Sequence, residues 1–136
     1  MTVQGSKNAV LPILASTILI AGKTTLRNCP DISDVDCMCR ILQKIGATVT
    51  KTGHEICVDA SGALQSRLPA EEVVRMRSSI VLTGALLGRL GQASFCDPGC
   101  CVIGDRPIDL HLKAFARFGC QIRREDDNFL TVFAKR

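Results

Sequence analysis

Neither tryptophan nor tyrosine occurs in this chain of 136 residues, and five phenylalanines hold aromatics to 4% of it. Such a chain has little with which to stack nucleobases, which argues against a single-strand nucleic-acid platform. Its core must be aliphatic. Charge of one sign is also scarce. Seventeen Lys and Arg against thirteen Asp and Glu leave a net +4, interspersed along the chain, which favours small anionic ligands but falls short of a nucleic-acid signature. No apolar run is long enough to span a bilayer. The candidate secretory segment, AVLPILASTILIAG at 9–22, lacks a small-x-small site before Lys23. Its counterpart SSIVLTGALLGRLG lies deep in the chain at 78–91, so both read as buried helices. Paired CxxC spacing is missing despite eight cysteines, and the two histidines, His54 and His111, stand apart, so no metal is expected. A redox or zinc protein built on Cys96, Cys100 and Cys101 is correspondingly disfavoured. The expected compartment is a reducing cytoplasm with mostly free, buried thiols, among which Cys37 and Cys39 read as packing residues.

What is present is a large apolar fraction, 46% against 22% charged, enough for a sizeable core. The chain also repeats itself. Gly46-Ala47-Thr48-Val49 recurs as Gly119-Cys120-Gln121-Ile122, 73 residues later, and Val35-Asp36 recurs as Ile108-Asp109 at the same offset. Such self-similarity signals one supersecondary unit stacked on its copy. Each copy reads as strand, helix, strand, helix and hairpin, an α/β architecture of two βαβαββ units, the first over 1–62 and N-terminally clipped, the second over 63–136. In the first copy the apolar helix covers about 8–21 and a strand follows at 24–29. Val35, Met38, Ile41, Leu42 and Ile45 then give a helical stripe ended by Gly46, before a hairpin turning at Thr52-Gly53. In the second copy Asp105 can cap a helix with Pro107 in its first turn and Gly119 just past its end. Its hairpin turns at Asp126-Asp127-Asn128, and residues 59–72 read as the link between copies.

Three expected helix starts carry cations. Lys7 stands in QGSKNAVLP, Arg75 and Arg77 in VRMRSSI, and Arg106 in DRPIDL. A cation there opposes the helix dipole unless an anion lies between it and the free N–H groups. Taken alone, the first case is better explained by an ordinary Ser6 N-cap beside a solvated lysine. Together the three point to a phosphorylated or carboxylated small molecule, which arginine's rigid fork suits. IAGKTT at 20–25 imitates the end of a phosphate-binding loop, but Thr17 stands where its first glycine belongs and the stretch follows a helix instead of opening one. Cys100 and Cys101 sit on a Pro98-Gly99 turn. Arg106 and the helix start beyond would raise the thiolate fraction there, although a chance pair of exposed cysteines has the same appearance.

Taken together, GSKNAVLPIL (5–14), PDISDVD (30–36), VRMRSSI (74–80) and PGCCVIGDRPIDLHL (98–112) resemble the enolpyruvyl transferases. Within them the likeness is to the UDP-N-acetylglucosamine 1-carboxyvinyltransferases of peptidoglycan synthesis. The sister enzymes of the shikimate pathway differ at the first motif and lack the cysteine loop. The resemblance implies the inverse α/β barrel fold of that family and transfer of enolpyruvyl from phosphoenolpyruvate to the sugar 3-hydroxyl, with no cofactor. It implies phosphoenolpyruvate contacts at Lys7, Asn8 and Arg106, and UDP-sugar contacts at Arg77, Arg106, Pro107, Ile108, Asp109 and Leu110. Cys101 matches the loop cysteine that acts as general acid and that fosfomycin alkylates.

Two departures stand in the loop: Cys100 where the family has a small glycine, and Asp105 where it has a small neutral residue. Family members also have a third unit and a second domain, neither matched here. The chain alone is therefore expected to be inactive and open to self-association, with no nucleic-acid or membrane partner. A non-catalytic binding module for an anionic nucleotide sugar is the alternative.

Overall fold

In the computed structural model, residues 5–96, 108–125 and 128–135 are described, Arg77 by its backbone alone. The first apolar run forms α1 (Lys7–Ser16), tightening into a 3₁₀ turn at Thr17–Leu19. Pro12 lies inside this helix and has no N–H to give the Asn8 carbonyl one turn back. Strand β1 (Lys23–Leu26) follows and stops short of the expected end at residue 29, because Asn28 adopts a left-handed φ of 57°. Helix α2 (Ser33–Lys44) then leads to β2 (Thr48–Thr52) and β3 (Glu55–Asp59). Three helices and three strands complete the order: α3 (Ala70–Arg75), a 3₁₀ turn at Arg77–Ile80, α4 (Val81–Leu90), β4 (Gln92–Cys96), α5 (Asp109–Arg117), β5 (Gln121–Arg124) and β6 (Phe129–Phe133).

The strands form two antiparallel sheets of the same order, β1-β3-β2 and β4-β6-β5. In each, the last strand of the hairpin lies between the other two: Cys57 faces both Thr25 and Thr50, and Thr131 faces both Ser94 and Arg123. The α/β expectation holds. The stretch read as a link holds more structure than expected. Arg67 makes a parallel bridge to Ser94, with Leu68 N–H donating to the Ser94 carbonyl and Ser94 N–H to that of Ser66, each at 2.8 Å. Six residues of helix follow in α3. The polarity of 59–72 concealed this, since a parallel edge pairing needs only three residues and leaves no alternation to read.

All five stripe residues of α2 are fully buried, and α1, α2, α4 and the inner faces of both sheets share one continuous core. Each such aliphatic side chain contributes about 1.5–3 kcal/mol on burial. The two copies differ at their second helix. No residue of α5 is buried, and Leu110 and Phe118 remain 75% and 83% exposed, whereas Cys37 and Ile45, 73 positions earlier, are covered. The expected cap Asp105 and first-turn Pro107 lie outside the described residues, as does most of the second hairpin turn. The described part of α5 begins at Asp109, preceded by Ile108.

Candidate functional site

Lys7 is the first residue of α1, and Asn8, also exposed, is the second. The Ser6 side chain makes no cap hydrogen bond, so the ordinary Ser-cap explanation of this motif does not hold. Nor is the lysine merely solvated. Its Nζ lies 2.6 Å from Oδ2 of Asp34, in the first turn of α2. Two helix starts are thereby drawn together, and Asp34 supplies the negative charge that a cation at a helix N-terminus lacks. Asp34 was legible only as part of PDISDVD; nothing in the spacing paired it with Lys7.

Backbone packing fixes where α1 begins. Gly5 lies so close to the Asn28 carbonyl that a Cβ there would sit 2.1 Å from that oxygen. The Asn28 turn is held from its other side by Cys29 N–H donating to the His54 carbonyl at 2.8 Å, and His54 Nδ1 lies 3.0 Å from the Cys29 carbonyl. An open cleft of about 320 Å³ runs between α1 and this turn, lined by Gly5, Ser6, Ala9, Arg27 and Asn28 among others.

The other expected contacts are located only in part. Arg77 opens the 3₁₀ turn that leads into α4, which puts it at a helix start as Lys7 is. Ile108, half-buried, precedes α5, and Asp109 and Leu110 form its exposed beginning. An acidic Asp109 in a first turn suits the helix dipole. Cys100, Cys101, Asp105, Arg106 and Pro107 lie outside the described residues. Among the described residues, no group of three potential ligands could hold a metal ion, and no helix is long and apolar enough to cross a membrane. Six cysteines are described, none in a disulfide; Cys29, Cys37 and Cys39 are buried, and burial pushes the Cys39 thiol up to about 11, so it stays protonated at neutral pH.

Two ionic networks flank this region and went unread in the sequence. Lys51 Nζ lies 2.7 Å from both Asp31 Oδ1 and Asp36 Oδ1, tying β2 to the first turn of α2 and to the loop before it. Hydrogen bonding from Lys51, and then its charge, holds the Asp31 carboxyl below its usual value. The second network centres on Glu72. Burial raises its pKa, but hydrogen bonds from Lys44 and Cys37 and the charges of Lys44 and Arg40 outweigh that, leaving it lowered.

A carboxyl whose folded pKa lies below its unfolded value, about 4, stabilises the fold fully above that value. Its contribution is lost as pH falls through the lower folded pKa. Lys51 is shifted upward, so its contribution persists until pH rises through its unfolded value near 10.4. The thermal midpoint is therefore expected to hold from pH 7 to about 5 and fall steadily toward pH 3. Lys51→Met should flatten part of that fall. A midpoint indifferent to acid would contradict the network.

Comparison with known proteins gives these elements a family. The model of the family described as EPSP synthase (3-phosphoshikimate 1-carboxyvinyltransferase) matches residues 1–135. The UDP-N-acetylglucosamine 1-carboxyvinyltransferase 2 of Caldanaerobacter subterraneus subsp. tengcongensis is 48% identical over 120 residues, covering 88% of this chain and 29% of that protein. The UDP-N-acetylglucosamine 1-carboxyvinyltransferase of Lawsonia intracellularis is 44% identical over 127 residues, covering 93% of this chain and 30% of that protein. Among solved structures, the enolpyruvyl transferase NikO from Streptomyces tendae superposes with a TM-score of 0.82 at 27% identity, over 98% of this chain and 29% of that one. The chain thus spans less than a third of the length of these relatives. It belongs to the EPSP synthase family.

Proposed function

From that membership we propose that the chain supplies part of a UDP-N-acetylglucosamine 1-carboxyvinyltransferase, composed of two βαβαββ units over 1–62 and 63–136. The observation that carries the choice of acceptor is the name shared by relatives at 48% and 44% identity, which is for the UDP-sugar and not for 3-phosphoshikimate.

In this reading Lys7 and Asn8 at the start of α1, together with Arg106, hold the phosphate and carboxylate of phosphoenolpyruvate. Arg77 and the run Arg106, Pro107, Ile108, Asp109 and Leu110 hold the UDP-sugar. Lys7 is already oriented by Asp34, so a substrate anion meets a side chain that is partly ordered in advance. The Cys101 thiol gives its proton to the methylene carbon of phosphoenolpyruvate while the sugar 3-oxygen bonds to the adjacent carbon, forming a tetrahedral adduct. Return of a proton from the new methyl group to the Cys101 thiolate and departure of inorganic phosphate restore the double bond and the thiol. Enolpyruvyl-UDP-sugar and phosphate are the products. Cations around the phosphate offset charge on the leaving group.

The sugar hydroxyl's proton needs a base, which we assign to the rest of the enzyme. The full reaction thus belongs to the complete protein. We place that protein in the cytoplasm, where nucleotide sugars and phosphoenolpyruvate are made, as an enzyme of cell-wall synthesis. Any self-association of this chain is assigned to the open apolar face of α5.

The test is alkylation by fosfomycin, read by peptide mapping. Modification is expected at Cys101 and to quicken by about tenfold or more when UDP-N-acetylglucosamine is present, as a thiol belonging to the sugar-nucleotide site requires. Cys101→Ala should abolish it and Cys100→Ser should not. Uniform labelling of all accessible cysteines, indifferent to the sugar nucleotide, would instead identify a binding module whose Cys101 is idle.

A further inference from the structure

Glu72 is a carboxylate only 5% exposed that the proposed chemistry does not use. Three residues of α2 surround it. Cys37 Sγ lies 3.4 Å and Arg40 Nε 3.5 Å from Oε2, and Lys44 Nζ lies 3.2 Å from Oε1. Positions 37, 40 and 44 share one face of α2, so a single helix surface presents a thiol and two cations to one acceptor. Burying a carboxylate is costly unless its oxygens are paired, and here both are.

The position of Glu72 in the chain matters more than its charge. Helix α3 has six residues, too few to persist without tertiary anchors. It ends where Met76 N–H donates to the Glu72 carbonyl at 3.0 Å, and Ser79 N–H in turn donates to the Met76 carbonyl at 3.0 Å. Glu72 therefore grips α2 with its side chain and the Arg77–Ile80 turn, through Met76, with its backbone. An apolar side chain at this position would fill the space without direction. Hydrogen bonds from Lys44 and Cys37, with the Arg40 charge beside them, fix an orientation as well.

We propose that Glu72 is a positioning residue: by anchoring α3 to Cys37, Arg40 and Lys44 of α2, it sets the Arg77 turn for the UDP-sugar. The second half of this statement rests on the proposed function; the anchoring does not.

Two readouts on the full chain separate them: amide hydrogen exchange at Met76 and Ser79, and calorimetric binding of UDP-N-acetylglucosamine. Glu72→Leu keeps apolar volume and removes the acceptor. It is expected to speed exchange at both amides by about tenfold or more while leaving exchange in β3 and β6 unchanged, because the opening is local. The Kd for the UDP-sugar should rise by a similar factor, about tenfold. Lys44→Met, at a partly exposed site, should reproduce a smaller version of both effects and serves if Glu72→Leu does not fold. Unchanged exchange at Met76 and Ser79 would overturn the anchoring. Faster exchange with unaltered sugar affinity would overturn the role in substrate positioning. If the unsubstituted chain binds no UDP-sugar, the substrate half of the proposal falls for this chain, while the exchange result still decides the anchor.

Discussion

Gly46→Ala should lower the stability of the fold by about 3 kcal/mol, from strain at a special backbone angle and from a backbone collision. Gly46 has φ +110°, a region that side chains rarely enter, and an added Cβ would lie 2.6 Å from the Ala63 carbonyl oxygen. That oxygen cannot easily retreat. Two residues on, Gln65 N–H donates to the Ile45 carbonyl at 2.8 Å, pinning the passing segment to the end of α2. For a chain of this size the loss corresponds to a fall of roughly 10 °C in the thermal midpoint. The repeat supplies its own control. Gly119 stands 73 positions later with φ +84°, and a Cβ there would meet nothing closer than the Lys135 Cδ at 3.9 Å. Gly119→Ala should therefore cost only the backbone term, about 1–2 kcal/mol. Equal losses at the two glycines would mean that the Ala63 contact does not restrain the fold.

That contrast also marks what a sequence can disclose. The internal repeat, the stripe Val35, Met38, Ile41, Leu42 and Ile45, and the glycine ending it follow from period and cap chemistry, and the core contains all five stripe residues. Local rules suffice there, because a 3.6-residue period needs no partner to be seen. Lys7 and Asn8 at a helix start were legible for the same reason. Asp34 beside Lys7 and Glu72 beneath α2 were not. Each pairs with residues 27 to 35 positions away, through contacts that depend on how α1, α2 and α3 pack. A carboxylate that reads as part of a solvated face in the sequence is then found buried. A repeat taken by itself gives α2 and α5 equal places. Their exposure differs because α3 and α1 cover the first, whereas among the described residues β5 is the main neighbour of the second. Self-similarity fixes the unit; its neighbours decide which face is covered.

The second large effect concerns the proposed substrate site directly. Gly5→Ala is expected to weaken phosphoenolpyruvate binding, measured calorimetrically with UDP-N-acetylglucosamine present, by about tenfold to a hundredfold, because misplacement of a binding group by an ångström carries such losses. The new Cβ would overlap the Asn28 carbonyl oxygen at 2.1 Å and press on Pro30 Cδ at 3.3 Å. Asn28 is already in a left-handed conformation, and the next residue is bound to His54 through both its N–H and its carbonyl. The turn is thus the more constrained partner, so the start of α1 has to move. Lys7 and Asn8 move with it, and the 2.6 Å Lys7–Asp34 ion pair is stretched. Stability should fall as well, by about 1–3 kcal/mol for an overpacked contact. Gly22→Ala provides the comparison, since a Cβ there meets nothing within 4 Å and neither quantity should change appreciably. The informative outcome is the split between the two measurements. A destabilised chain that binds phosphoenolpyruvate with undiminished affinity would remove the α1 start from the substrate site, because the substitution displaces that backbone before any other part of the fold.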